Sequence, residues 1–157
     1  MTCLFELSIA LLITLLNGFF VMAEYSLVRI RKSRLDELIR QGKSRASTVL
    51  KMSEKLDTYL SATQLGITAS SLLLGWFGGP LLAEMFRGMF GISAGSWYDH
   101  SLVFACAFLI IVFLHVVFGE LVPRTIALGK VEQVAMAVAY PLVFFHYLLY
   151  PLVVLFN

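Results

Sequence analysis

Four stretches of this chain are too apolar to sit in water as surface helices: Leu4 to Leu27, Leu56 to Met85, Leu102 to Phe118 and Val131 to Phe156. About 20 apolar residues wound as a helix cross the roughly 30 Å hydrocarbon layer of a bilayer. Of the 157 residues, 59% are hydrophobic and 14% charged, with a mean hydropathy of +0.85. A soluble domain has about 45–50% apolar and about 25% charged residues, so this is a membrane domain. The length allows three or four spans packed as one domain over residues 1–157. The expected fold class is an all-α membrane protein with three or four transmembrane helices and juxtamembrane amphipathic helices, the C-terminal run being either a further span or an interfacial helical belt.

The net charge of +2 conceals an asymmetry: nine of the twelve Lys and Arg lie between Arg29 and Lys55. Leu35, Leu38 and Ile39 keep a helical period there, Gly42 breaks it, and Val49, Leu50, Met52 and Leu56 resume it. Such a stretch belongs at the cytoplasmic surface beside anionic membrane lipid, with the N-terminus outside, and it sets topology; it does not read as a nucleic-acid site. The segment Arg87 to His100 carries one basic residue and is expected outside, with Trp97 and Tyr98 as interfacial anchors. Val21-Met-Ala23 resembles a cleavage site, but the basic stretch follows the apolar run, as in an uncleaved signal anchor. Cys3 and Cys106 have no metal or redox spacing and read as small hydrophobes without a disulfide.

Polar residues inside the spans carry the functional question. Asn17 and Glu24 are seven apart and share a helix face, whereas Ser26 lies about 180° from Asn17 on an unbroken helix. Asn17 suits an interhelical hydrogen bond as well as an ion site, and Glu24 suits a pairing with Arg29 or Arg31 as well as a pathway. In the second run Gln64, Thr68, Ser71, Gly75 and Gly78 are spaced by four, three, four and three and stack on one face, with Ser70 about 100° away. That stripe has two readings, close helix packing or an ion pathway lined by oxygens. Gly78-Gly-Pro80 is expected to kink or end the helix.

The third run closes on His115-Val-Val-Phe-Gly-Glu-Leu-Val-Pro-Arg124. Gly119 and Pro123 permit a break that exposes backbone carbonyls while Glu120 is still at membrane depth, and an ionisable residue there is a functional candidate by default. A lone His115 reads first as a packing or hydrogen-bonding residue. No His-Glu-x-x-His pattern and no serine nucleophile with a base are present, so the chain is not read as an enzyme. The fourth run is cut by Pro141 and Pro151 and fits either a further span or a broken helix along the interface. The chain then stops without a polar tail, which predicts a soluble region beyond it.

Three blocks resemble one family: Asn17-Gly-Phe-Phe-Val-Met-Ala-Glu-Tyr-Ser26 with Val28-Arg-Ile-Arg-Lys-Ser-Arg-Leu35, Tyr59-Leu-Ser-Ala-Thr-Gln-Leu-Gly-Ile-Thr68 with Leu74-Gly-Trp76, and Gly119-Glu-Leu-Val-Pro-Arg-Thr125. Together they resemble the transmembrane domain of the CorC and cyclin M (CNNM) magnesium transporters. The resemblance implies a homodimer in the cell (inner) membrane, with three spans per subunit, the N-terminus outside, and a cytoplasmic belt that also settles the C-terminal run. It implies magnesium (Mg2+) export, coupled to sodium (Na+) in some members, and a following CBS pair that binds adenine nucleotide. Arg124 stands where lysine is common, and Ser70 in a segment more apolar in many members. Magnesium needs near-octahedral oxygen coordination. Ser26, Ser71, Glu120 and the Gly119 carbonyl are the expected ligands, with Ser70, Asn17, Glu24, Gln64 and Thr68 as further ligand or pathway residues. Gly75, Gly78, Gly119 and Pro123 are the expected hinges. The rival reading is a regulatory anchor and dimerisation module that senses magnesium without moving it.

Overall fold

The computed structural model describes residues 2–90 and 97–156. Among these there is no strand. The order is α1 (Thr2–Arg29), α2 (Lys32–Arg40), α3 (Ser44–Glu54), α4 (Leu56–Phe90), α5 (Trp97–Leu114), a π-helical turn (His115–Leu121), α6 (Val122–Gly129) and α7 (Val131–Phe156). At 1.5 Å per residue, α1 is about 42 Å long and α4 about 52 Å, both longer than the hydrocarbon layer. Three stretches among the described residues are long and apolar enough to cross a membrane: Phe5–Arg29, Phe108–Gly129 and Val131–Leu149.

Several expected breaks are absent. The α4 helix runs through Gly78-Gly-Pro80 to Phe90, and α7 runs through Pro141 and Pro151. A proline inside a helix removes one i→i−4 bond without ending the helix when surrounding packing holds the rest. The segment expected as an outer loop from Arg87 is therefore helical to Phe90 and again from Trp97; residues 91–96, and the side chains of Trp97, Tyr98 and Cys3, lie outside the described part. Cys106 is free and exposed.

Helix α1 is the axis of the bundle. It packs against α3, α4, α6, α7 and the π turn. Contact with α4 is made by small residues: a β-carbon at Gly66 would lie 2.6 Å from three ring atoms of Phe20, and Ala62 and Ser70, one turn to either side, are buried. Phe20 in turn meets Phe19 and Phe145 with ring centroids 5.3 and 5.1 Å apart, both edge-on, which carries α7 into the same core. The packed face of α4 is thus Ala62, Thr63, Gly66, Ser70 and Leu74, not the stripe containing Gln64, Thr68 and Gly75, all of which are exposed.

The basic stretch forms α2 and α3, joined by a turn in which Gly42 has φ +81°. Only glycine takes that conformation cheaply, and here it closes α2 through Gly42 N–H to Ile39 O at 2.9 Å and Lys43 N–H to Leu38 O at 3.1 Å. Leu35, Leu38, Ala46, Val49 and Met52 face inward and join Val134, Ala135, Val138, Ala139 and Leu142 of α7 in one core. The first half of α7 thus packs at the level of the amphipathic helices, with its sequence still apolar enough to cross.

Arg34 ties α2 to the start of α7. Its Nε donates to Glu132 at 2.6 Å and its Nη2 at 3.2 Å, while Nη1 pairs with Glu37. The hydrogen bonds from Glu132, then those from Glu37, push the guanidinium pKa still higher, so Arg34 is charged at every accessible pH. Because the pair is about two-fifths exposed (42% and 38%), solvent screens it and it adds little to stability. Arg34→Ala is therefore expected to leave the unfolding midpoint nearly unchanged and to speed amide exchange in α2 and the first turn of α7, with the effect fading in high salt; hydrogen exchange at two salt concentrations checks it.

Candidate functional site

The site grows from a missing N–H. In an ordinary α-helix the Gly119 carbonyl would accept from residue 123, which is proline and has no donor. The helix answers with a π turn over His115–Leu121, and Asn17 of α1 donates from Nδ2 to Gly119 O at 2.8 Å. The expected break is thus realised as a widened turn inside a continuous helix. Asn17 (1% exposed) and Gly119 are both buried. The fit is close: a β-carbon on Gly119 would lie 3.0 Å from His115 Nδ1 and 3.1 Å from Asn17 Nδ2.

His115 opens the π turn and reaches across to α4, where its Nε2 lies 3.1 Å from Ser71 Oγ. Ser71 donates its own proton to Ile67 O at 2.8 Å, so its lone pairs face the histidine and the space beyond. Glu24 of α1 is within hydrogen-bonding reach of Gln64, and Glu120 is an electrostatic neighbour of both Glu24 and His115. Glu120 itself is exposed on the described surface, one residue past buried Gly119. Beside this group the Arg124 guanidinium stacks over the Tyr25 ring at 4.6 Å, a cation–π contact.

The structure therefore brings together Asn17, Glu24, Gln64, Ser71, His115, Gly119 and Glu120 from three elements. Ser26 and Ser70 are buried but make their hydrogen bonds within their own helices, to Ala23 O at 3.1 Å and Gly66 O at 2.8 Å. Since all three serines donate to backbone, their oxygens keep lone pairs for a further partner. Thr68 lies exposed on the outer face of α4. The residues expected as hinges are placed differently from one another. Gly75 borders open space, an added β-carbon on Gly78 would clash with Ile111, and one on Gly18 would lie 2.9 Å from Pro123 Cγ. Gly78 and Pro123 thus lie at close helix contacts, whereas Gly75 does not.

On the side toward the N-terminal half of α1, a cavity of about 260 Å³ adjoins the site, lined by Thr14, Leu74, Gly78, Ile111, His115 and Phe118 among others. Apart from Thr14 and His115 its named walls are hydrocarbon or glycine, so it offers an ion almost no hydration. Among the described residues no three His, Cys, Asp or Glu side chains cluster as a metal site. A cation held here would rely on carbonyl, hydroxyl and amide oxygens around one or two carboxylates, a donor set suited to a hard ion. Gly66 and Gly18 were not singled out as packing residues by sequence; for Gly66 the signal was present, since Ala62, Gly66 and Ser70 recur at every fourth position.

These features define an all-α membrane domain with an intramembrane polar site built around a π turn. The model of the "Cyclin M transmembrane N-terminal domain" matches residues 7–157, and the chain belongs to that family. Among similar proteins, the UPF0053 protein YugS of Bacillus subtilis is 41% identical over 143 residues, covering 90% of this chain and 33% of that protein. YhdP of the same organism is 42% identical over 150 residues, 95% of this chain and 34% of that one. The UPF0053 protein sll0260 of Synechocystis is 35% identical over 135 residues, 85% and 30% respectively. The chain spans about a third of the length of these curated relatives.

Proposed function

We propose that this domain moves a divalent cation, magnesium, through the membrane, using Glu120, the Gly119 carbonyl and serine hydroxyls as the oxygens that replace hydration. The observation that carries the reading is the pair of neighbouring carboxylates at membrane depth. Glu24 and Glu120 repel each other, and the guanidinium of Arg124 is engaged over the ring of Tyr25. Two like charges in a low-dielectric layer are relieved by a divalent ion between them. Export, with sodium as the coupling ion, and an external N-terminus follow from the family resemblance and from the basic α2–α3 segment. A second copy of the chain is the natural cover for Gln64, Thr68 and Gly75, polar and small residues that α4 leaves exposed. Adenine nucleotide would act on the longer proteins through parts beyond this stretch.

Calorimetric titration of the purified protein with magnesium, beside calcium and sodium, tests the reading, followed by flux into proteoliposomes. Saturable magnesium binding with flux supports it. Binding without flux would turn the domain into a magnesium-sensing anchor, and no binding by a folded protein would remove the site.

A further inference from the structure

His115 and Asn17 share a peculiarity that the ligand set above does not use. Each spends one polar atom on a candidate ligand and leaves its other polar atom, buried, without a partner among the described residues: Asn17 Oδ1 and His115 Nδ1. The protons can be assigned from the hydrogen bonds. Asn17 must present Nδ2 to the Gly119 carbonyl, since its oxygen would oppose another acceptor. Ser71 has one proton and gives it to Ile67 O, so it accepts from His115, which places the imidazole hydrogen on Nε2 and leaves Nδ1 a bare lone pair. Two buried acceptors therefore flank Gly119. A β-carbon on that glycine would lie 3.0 Å from His115 Nδ1 and 3.1 Å from Asn17 Nδ2, so its absence is what lets both side chains close on the π turn.

We infer that Asn17 and His115 are a positioning pair for the cation site, with His115 held as its Nε2–H tautomer. The pair fixes two ligands on different helices: Asn17 holds the Gly119 carbonyl of the π turn, and His115 holds the Ser71 hydroxyl of α4 with its remaining lone pair free. Partners behind the ligands of a metal centre set its geometry, and their loss typically lowers affinity about 10–100-fold without removing a ligand. This inference rests on the magnesium reading for its effect on affinity, and on hydrogen bonding alone for the tautomer.

The experiment has two arms on the full chain. In the first, magnesium titrations compare wild type, His115→Leu and His115→Gln. His115→Leu is expected to weaken binding about tenfold or more, and His115→Gln, whose amide can still donate to Ser71, to recover most of it. Equal affinity in all three overturns the positioning role, as does loss in both variants with the fold intact. In the second arm, nitrogen NMR of labelled histidine in the wild type reads the tautomer directly, whether or not the leucine variant folds. A proton on Nε2 alone supports the assignment. A proton on Nδ1, or on both nitrogens, overturns it. If wild type binds no magnesium but shows the Nε2–H tautomer, the transport reading fails and the hydrogen-bond assignment survives.

Discussion

Glu120→Gln is expected to weaken magnesium binding at least about a hundredfold, equivalent to about 2.7 kcal/mol, while leaving the unfolding midpoint unchanged. The variant keeps the shape and one carbonyl oxygen of the side chain and removes only its charge. At a few ångströms, and at the effective dielectric of a protein surface, a carboxylate contributes about 4 kcal/mol per unit charge of its partner, partly offset by the desolvation of both. Stability should hold because Glu120 is exposed and has no described hydrogen-bond partner within the chain. Calorimetry and a thermal melt on the same preparation check both halves. Unchanged magnesium affinity would take the carboxylate out of the site, and a collapsed melt would mean that Glu120 is structural instead.

The largest effect on stability is expected at a residue that binds nothing. Gly66→Ala places a methyl group 2.6 Å from Phe20, whose ring is 2% exposed and braced by Phe19 and Phe145, so it has nowhere to retreat. Overpacking of this kind costs about 1–3 kcal/mol, and a Val at the same position should exceed that range. The measurement is a thermal shift in detergent, with Gly66→Ala and Phe20→Leu made singly and together. If the clash is the cause, the double variant is less destabilised than the sum of the singles, since a slimmer side chain makes room. A neutral Gly66→Ala would show that α1 and α4 can slide apart without penalty.

The fold was largely written in the hydrophobic runs and the basic segment, because bilayer thickness and charge asymmetry act on long stretches and tolerate local error. The amphipathic pair came out where Gly42 divides the stretch, since a positive φ is a local demand that a sequence states openly. Proline misled: Pro80, Pro141 and Pro151 read as breaks, yet each lies inside a continuous helix. Whether a missing donor interrupts a helix depends on what packs around it, and that is a tertiary fact. At Pro123 the same defect produced a π turn and a liberated carbonyl, which the spacing of Gly119 and Pro123 did foreshadow.

The site was legible in part. Asn17, Ser71, Gly119 and Glu120 were singled out by polarity at membrane depth, and the structure gathers them. The face of α4 was misjudged. The polar stripe of Gln64 and Thr68 attracted attention because its members are unusual in lipid, whereas the packed face of Ala62, Gly66 and Ser70 is marked only by smallness. His115 was read as a packing or hydrogen-bonding residue without a named partner, since its contact with Ser71 joins residues 44 positions apart.

The central position of α1 bears on how the protein is made. Of the described helices, α1 leaves the ribosome before α3, α4, α6 and α7, which later pack against it. It must wait in the bilayer with Asn17 unsatisfied until residue 119 is synthesised and the Gly119 carbonyl arrives. Until then its buried amide and the ring of Phe20 lie open to lipid or to chaperones of insertion. Slow elongation through α4 and α5 would lengthen that interval, making the membrane-inserted nascent chain, rather than the finished fold, the state most exposed to quality control.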